Sequence, residues 1–210
     1  MTDKKNKILC MCSGGLASLG ALYRLLTEEA YAGFDLHVHH INLRNIENRM
    51  QAERRAVQKT LSYFREGGFR HLFFTESFHD CSFMRQFQIP EPYWYGFMAA
   101  HIITADSSIL YVATGRNRSD REGEAAARKS ITARRGLEIF HATLPLELRF
   151  ERHYIYPVAD LTKKAIWALL PEELRNMVWT CDRPVTRGEE ILPCGQCAQC
   201  AAFQEIAAEE

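Results

Sequence analysis

The sequence lacks a net charge, a long apolar run, internal repeats and low-complexity segments. Its 26 basic residues are balanced by 26 acidic ones, which argues against a protein that coats nucleic acid through excess positive charge. The charged residues 1–7 are followed by roughly six apolar residues, fewer than a signal peptide or a membrane span needs. We therefore expect a cytoplasmic protein with no membrane partner and no direct binding to nucleic acid.

Cysteine, in contrast, is abundant and unevenly placed. The chain has seven cysteines, and an odd number without a secretion signal argues against a disulfide framework. Four of them lie near the C-terminus with short spacings: Cys181, Cys194, Cys197 and Cys200. Four thiolates complete a tetrahedral zinc site and leave no position for a reactive water. We predict a structural Zn²⁺ here, with an iron–sulfur cluster as the alternative.

Near the N-terminus, the segment Ser13-Gly14-Gly15 separates an apolar run from a segment with apolar residues at helical spacing. This pattern predicts a buried strand, a tight turn and the start of a helix. Paired glycines allow a sharp turn and a close approach of the backbone to a ligand. The N-terminus of the following helix presents free N–H groups, so the loop is predicted to bind phosphate.

Strands and helices alternate through the rest of the chain. Predicted strands cover 7–12, 34–43, 70–75 and 108–114, and predicted helices cover 17–28, 47–66 and 93–106, with a loop or short helix at 76–92. This β-α-β-α-β-α-β order is typical of an α/β fold with a doubly wound, mostly parallel sheet. We assign residues 1–175 to the nucleotide-binding domain and residues 176–210 to the four-cysteine zinc segment and a C-terminal helix.

Four further segments are interpreted with alternatives. The charges of the helix at 47–66 predict a solvated face. The aromatic residues at 93–97 predict core packing, with stacking on a flat ring as the alternative. The basic helix at 121–135 is either a solvated face or a phosphate-binding surface. A short strand at 153–158 precedes an amphipathic helix at 160–170, which Asp160 or Thr162 caps.

The glycine loop, a second loop at Gly115 and the late cysteine cluster together resemble the PP-loop ATP pyrophosphatase superfamily, whose phosphate loop is Ser-Gly-Gly-x-Asp-Ser. Within it, the chain is most similar to the 7-cyano-7-deazaguanine synthase family. Three elements carry this resemblance: Pro157 to Thr162-Lys163, Val178-Trp179-Thr180-Cys181, and Pro193-Cys194-Gly195-x-Cys197-x-x-Cys200. The resemblance implies an adenine nucleotide alpha hydrolase-like fold.

Two positions depart from that family. Ala17 replaces the aspartate that helps to organise the metal and the triphosphate. The Gly-Tyr-Pro-Asp element after the second loop is also missing; only Gly115 and Asp120 match its start, and Arg121-Glu-Gly-Glu-Ala follows. The chain therefore resembles a divergent relative, and Ala17 indicates an enzyme that is either naturally altered or inactivated at this position.

The resemblance also implies roles for individual residues, with ATP and Mg²⁺ as cofactors. The nucleotide would be bound by Ser13, Gly14, Gly15, Leu16, Ala17, Ser18 and Gly115, with the adenine near Ile41 and Asn42. Lys163, Arg116 and Asp120 would be the catalytic residues. The metal ligands would be Cys181, Cys194, Cys197 and Cys200.

The implied reaction is the ATP-dependent adenylation of a carboxylate, 7-carboxy-7-deazaguanine, and its condensation with ammonia toward 7-cyano-7-deazaguanine. A relative associated with anti-phage defence would instead join the acid to an amine of a protein substrate or operon partner. A third hypothesis is a nucleotide-binding subunit without catalysis. A tRNA-thiolating enzyme is disfavoured, because Cys10 and Cys12 are predicted to be buried in a strand. The family implies a homodimer.

Overall fold

Five parallel strands form the central sheet. The computed structural model describes residues 5–69, 72–84, 88–122 and 125–208. The strands are β1 (Lys7–Met11), β2 (Asp35–Arg44), β3 (Leu72–Asp80), β4 (Ile109–Ala113) and β5 (His153–Ile155). They lie in the order β3-β2-β1-β4-β5, with every neighbouring pair parallel. From β1 the chain first adds β2 and β3 on one side of the sheet and then crosses to add β4 and β5 on the other. Ligands of doubly wound folds bind at such a switch point.

Helices cover both faces of this sheet. They are α1 (Leu16–Thr27), α2 (Met50–Glu66), α3 (Glu91–Ala105), α4 (Ala126–Thr143), α5 (Leu146–Arg149), α6 (Lys163–Leu169), α7 (Glu172–Arg175) and α8 (Ala198–Ala208). Because side chains alternate along a strand, Ile8 and Cys10 pack against α1, α2 and α6, whereas Leu9 and Met11 pack against α3 and α4. The predicted α/β class with a doubly wound parallel sheet is confirmed. None of the helices in the described ranges combines the length and apolarity that a membrane span requires.

Strand β3 extends further than the sequence pattern predicted. Residues 76–80 were expected in a loop, but they continue the strand and pair with β2 as far as Arg44. The polar residues of this extension are satisfied there, because the Ser77 hydroxyl lies 3.1 Å from His39 Nε2 and the Glu76 carboxylate accepts from Asn42 at 3.0 Å. The first two positions of the predicted strand, 70 and 71, lie outside the described residues.

Helix α4 begins and ends later than predicted. Residues 118–121 form a short 3₁₀ turn that Asn117 and Asp120 cap reciprocally, so Arg121 belongs to that turn rather than to the helix. The helix then continues to Thr143, where Leu144 adopts an extended conformation before Pro145. The restriction that proline imposes on its preceding residue explains this end.

The C-terminal segment adds a two-stranded antiparallel hairpin, β6 (Val185–Arg187) and β7 (Glu190–Leu192), before α8. Helix α8 packs on α6, where the rings of Trp167 and Phe203 meet edge to face at 5.0 Å. The Thr162 side chain caps α6 by accepting from the Ala165 N–H. Trp167 and Phe203 also belong to the core that contains α1, so this segment is built against the helix that follows the glycine loop.

Candidate functional site

The glycine loop between β1 and α1 is held in shape by its own hydrogen bonds. The Ser18 hydroxyl donates to the Gly15 carbonyl at 2.9 Å and lies 3.2 Å from the Ser13 hydroxyl. Gly14 has a φ of 81°, and a Cβ there would lie 3.0 Å from the Glu53 carbonyl oxygen. Gly15 precedes α1 without any side-chain cap, which leaves the first N–H groups of this helix available to an anion.

A second loop lies directly against the first. A Cβ on Gly115 would come within 2.5 Å of the backbone of Ala17 and Ser18, so only glycine allows this approach. After it, the Asp120 carboxylate accepts from the Asn117 backbone at 3.2 Å and from Lys129 Nζ at 2.8 Å. Asp120 therefore shapes the second loop and holds Lys129 beside the cleft.

Two adjoining cavities open next to these loops. One, of about 410 Å³, lies between Ser13, the end of β2 and the start of α3; the other, of about 400 Å³, lies between both loops, α6 and α8. They share a boundary formed by Ser13, Arg49, Glu53, Glu91, Tyr95, Lys129 and Thr132. The geometry is that of one cleft with two chambers, divided at the glycine loop.

The structure brings most predicted site residues to this cleft. Ser13 lines both chambers and Ile41 lines the first, and eight others line the second: Gly15, Leu16, Ala17, Ser18, Gly115, Arg116, Asp120 and Lys163. Gly14 lines neither and acts through its backbone conformation. Asn42, predicted to lie near the adenine, also lines neither chamber, and its buried amide donates to Glu76 at 3.0 Å. Side chains alternate along β2, so Ile41 faces the cleft and Asn42 the opposite face.

Lys163 and Arg116 are among the cationic side chains that line the second chamber, together with Arg49 and Lys129. Lys163 is the first residue of α6, and its Nζ donates to Gln199 Oε1 at 3.2 Å. Burial, reinforced by the charge of Lys129, lowers the pKa of the Lys163 ammonium group below its ordinary value. The Arg116 guanidinium lies over the Tyr156 ring, 5.7 Å from its centroid. Both groups are placed to neutralise an anionic ligand.

A charged network at the start of α2 also borders both chambers. Arg49 lies 2.7 Å from a Glu47 oxygen, 3.2 Å from Glu53 and 3.4 Å from Asp182. Burial raises the pKa of Glu53 to about 8, although the nearby guanidinium opposes that shift. The sequence pattern predicted a solvated face for this helix and missed these residues. The charges at 47, 49 and 53 offered a signal, since i,i+4 pairs share a helix face.

The aromatic start of α3 also contributes to the site. Trp94 and Tyr95 line the first chamber, and Tyr95 also lines the second. The Tyr95 hydroxyl donates to Glu91 at 2.6 Å, and the Trp94 ring lies 4.8 Å from that of His79. Cys12 lines the same chamber, but burial raises the pKa of its thiol. This chamber therefore offers flat aromatic walls rather than a ready nucleophile.

The four C-terminal cysteines converge on one point. Their Sγ atoms all lie within 4.8 Å of one another, with Cys181 at 3.6 Å from Cys194 and 4.0 Å from Cys197. Four thiolates that converge in this way are a typical metal-binding set. Backbone N–H groups of Cys197 and Cys200 donate to sulfurs at 3.3 and 3.4 Å. The arrangement could hold a metal ion.

Comparisons with known proteins support the fold. No protein-family model matches the sequence, and no curated protein matches it. Among solved structures, the chain is similar to the U34-tRNA thiolase NcsA from Methanococcus maripaludis with its [4Fe-4S] cluster, with a TM-score of 0.54 and 13% identity. The match covers 97% of this chain and 64% of the thiolase, a little under two thirds of its length. At this identity, the likeness shows a shared fold.

Proposed function

We propose that this protein uses ATP to adenylate its substrate and releases pyrophosphate. The observation that carries this proposal is the uncapped N-terminus of α1 behind Ser13-Gly14-Gly15, which opens into a cleft lined by Arg116, Lys129 and Lys163. N–H groups at a helix start bind phosphate oxygens, and nearby cations neutralise their charge. The fold shared with an ATP-pyrophosphatase-type tRNA thiolase is consistent with adenylation chemistry in general.

The substrate we propose is a carboxylic acid, 7-carboxy-7-deazaguanine. A carboxylate oxygen attacks the α-phosphorus of ATP, and pyrophosphate leaves. Ammonia then attacks the carbonyl carbon, AMP leaves, and the lost proton gives a neutral amide. A second ATP adenylates the amide oxygen, and departure of AMP with two protons yields the nitrile. Lys163 in its Thr-Lys pair and the run Pro193-Cys194-Gly195-x-Cys197-x-x-Cys200 match the synthase family and support this choice over other acids.

The residues of the chain perform positioning and charge neutralisation in this scheme. The loop N–H groups hold the phosphates, and Lys163 and Arg116 stabilise the charge that develops on the leaving pyrophosphate. The aromatic walls of the first chamber, Trp94 and Tyr95, would hold the flat base of the nucleotide. Mg²⁺ would be bound mainly by phosphate oxygens, because Ala17 offers no carboxylate ligand. Zn²⁺ on the four cysteines would stabilise the C-terminal segment and take no part in the chemistry.

Ala17 specifically favours a second candidate, a nucleotide-binding subunit that binds ATP without cleaving it. The other variant of the proposal is transfer of the deazaguanine acyl group to an amine of a partner protein encoded in the same operon. The non-catalytic subunit and the acyl-transfer variant would use the same cleft. The subunit would leave ATP intact, whereas the acyl-transfer variant would release the α-phosphate as AMP. We further propose that the protein functions as a homodimer in the cytoplasm.

The test is pyrophosphate release from ATP in the presence and absence of 7-carboxy-7-deazaguanine and ammonia, with mass spectrometry of the products. We expect pyrophosphate, AMP and the amide or nitrile only when the acid is present. The variant Lys163→Ala should bind ATP more weakly and release less pyrophosphate, and exposed Lys164→Ala is the matched control. If ATP binds but only Ala17→Asp releases pyrophosphate, the natural chain is the non-catalytic subunit. A mass gain on a partner protein would identify the protein-modifying variant.

A further inference from the structure

The outer edge of β3 is long and unguarded. This nine-residue strand lies at one end of the sheet, and within the described ranges no strand pairs with its outer side. Phe73 and Phe78 on it are 51% and 58% exposed. The opposite edge strand, β5, has only three residues. A long apolar edge presents unpaired backbone N–H and C=O groups and is a template for another strand.

Some of the devices by which proteins protect such edges are absent from this strand, although it carries the acidic residues Glu76 and Asp80. Residues 72–80 include no lysine, arginine, proline or glycine, the residue types that block or distort an exposed edge. The Glu76 carboxylate is turned inward, because Arg54 binds its two oxygens at 2.9 and 2.7 Å and Asn42 donates to it at 3.0 Å. Within the described residues, the outer side of this strand is therefore open to a partner.

We infer that this partner is β3 of a second copy of the chain, paired antiparallel about Glu76. A two-fold axis through Glu76 places Thr75 opposite Ser77, Phe74 opposite Phe78 and Phe73 opposite His79. Each is a pair that stabilises antiparallel strands, through hydroxyl hydrogen bonds or contacts between aromatic rings. Residues 73–79 are thus complementary to those of a second copy, as an interface with two-fold symmetry requires, whereas the outermost pair sets Leu72 opposite Asp80.

The central pair, Glu76 opposite Glu76, does not oppose this register. Each carboxylate is already compensated by its own Arg54, whose guanidinium also lies 5.2 Å from the centroid of the Phe78 ring. The Phe74–Phe78 pairs would lie on the face covered by α2, and the Phe73–His79 pairs on the face of α3. The result is one sheet of ten strands across two copies. This inference rests on the homodimer proposed above. It does not rest on the proposed chemistry, because the nucleotide cleft lies at the carboxyl ends of the strands and stays open.

Analytical ultracentrifugation of the full chain tests the interface. We expect a species of twice the 24.2 kDa chain mass at micromolar concentration. Phe78→Lys should convert it to a folded monomer, because the added charge would lie within the aromatic pairs. Phe150→Lys, at a phenylalanine that is 82% exposed and lies outside β3, should remain dimeric. A monomeric natural chain, or a Phe78→Lys variant that remains dimeric, would overturn the inference.

Disulfide trapping tests the register. In Glu76→Cys, the two introduced thiols face each other across the axis, so mild oxidation should give a covalent dimer linked at position 76. In the control Phe78→Cys, the thiols lie four residues apart along the paired strands, roughly 13 Å, and should remain unlinked. Peptide mapping distinguishes these links from bonds to the native cysteines, and circular dichroism confirms that both variants fold. A link at position 78 without one at position 76 would exclude the proposed register.

Discussion

The backbone N–H of Trp179 donates a hydrogen bond of 3.0 Å to the carbonyl oxygen of Gly14. The indole Nε1 of Trp179 also donates to the Cys181 carbonyl at 3.0 Å. One residue thus connects the glycine loop to the first cysteine of the metal centre. Asp182, which follows Cys181 in the chain, lies 3.4 Å from Arg49 at the wall of the cleft. The shape of the loop therefore depends on a segment that the metal is expected to fold.

Loss of the metal should consequently weaken nucleotide binding. We expect Cys194→Ser, or treatment with a chelator, to remove one equivalent of zinc and to lower ATP affinity several-fold, because Trp179 would no longer be held against Gly14. Elemental analysis and calorimetric titration with ATP provide the two measurements. Cys81→Ser is the control, since Cys81 lies outside the cluster. Iron in place of zinc would contradict the metal assignment, and unchanged ATP affinity in the metal-free protein would contradict the coupling.

Gly115→Ala should destabilise the protein and distort the cleft. The added methyl group would lie 2.5 Å from the backbone of Ala17 and Ser18, and backbone atoms cannot move aside as a flexible side chain can. Overpacking of this kind costs about 1–3 kcal/mol, which urea denaturation would detect. Gly33→Ala is the matched control because nothing lies within 4 Å of its added Cβ. Equal stability of the two variants would mean that the loops are not in close contact.

The sequence predicted those parts of the site whose residues lie close together in the chain. The glycine loop and the cysteine cluster are continuous or nearly so in the chain, and their geometry follows from turn and ligand chemistry. The Arg49–Asp182 contact was not predictable, because it joins residues far apart in the chain. The length of strand β3 was underestimated for a similar reason. Glu76 and Ser77 find partners in Asn42 and His39 on β2, which the local sequence does not reveal, so these polar residues suggested a loop or short helix.

Gln199 should position Lys163 for the anionic ligand. The variant Gln199→Met keeps the side-chain length but removes the oxygen that accepts from Lys163 Nζ at 3.2 Å. A hydrogen bond to a charged group contributes roughly 1.5–3 kcal/mol, so we expect ATP affinity to fall by about tenfold or more while zinc content stays unchanged. Gln196→Met, at an exposed position of the same segment, should bind ATP normally. Comparable affinities in both variants would show that Lys163 needs no such support.

Glu53 should make stability depend on pH. Burial, together with the carboxylates of Glu91, Glu47 and Asp182, raises the pKa of Glu53 from 4.5 to about 8 despite the opposing charge of Arg49. The folded protein then holds a proton that the unfolded chain has released between these two pH values. The free energy of unfolding should therefore fall as pH rises from about 4.5 to 8, by at most about 1.4 kcal/mol per pH unit from this group.

Above pH 8 both states have lost the proton, so the contribution of Glu53 no longer changes with pH. Glu53→Gln should remove this part of the slope and gain stability relative to the natural chain as the pH is raised to 8. Urea denaturation at pH 5 and pH 8 measures the difference, with exposed Glu66→Gln as the control. If the two variants show the same slope, Glu53 is ionised across this range. Arg49 would then hold the carboxylate as an ion pair at the wall of the cleft, and the negative charge of Glu53 would add to the repulsion between this wall and the nucleotide phosphates.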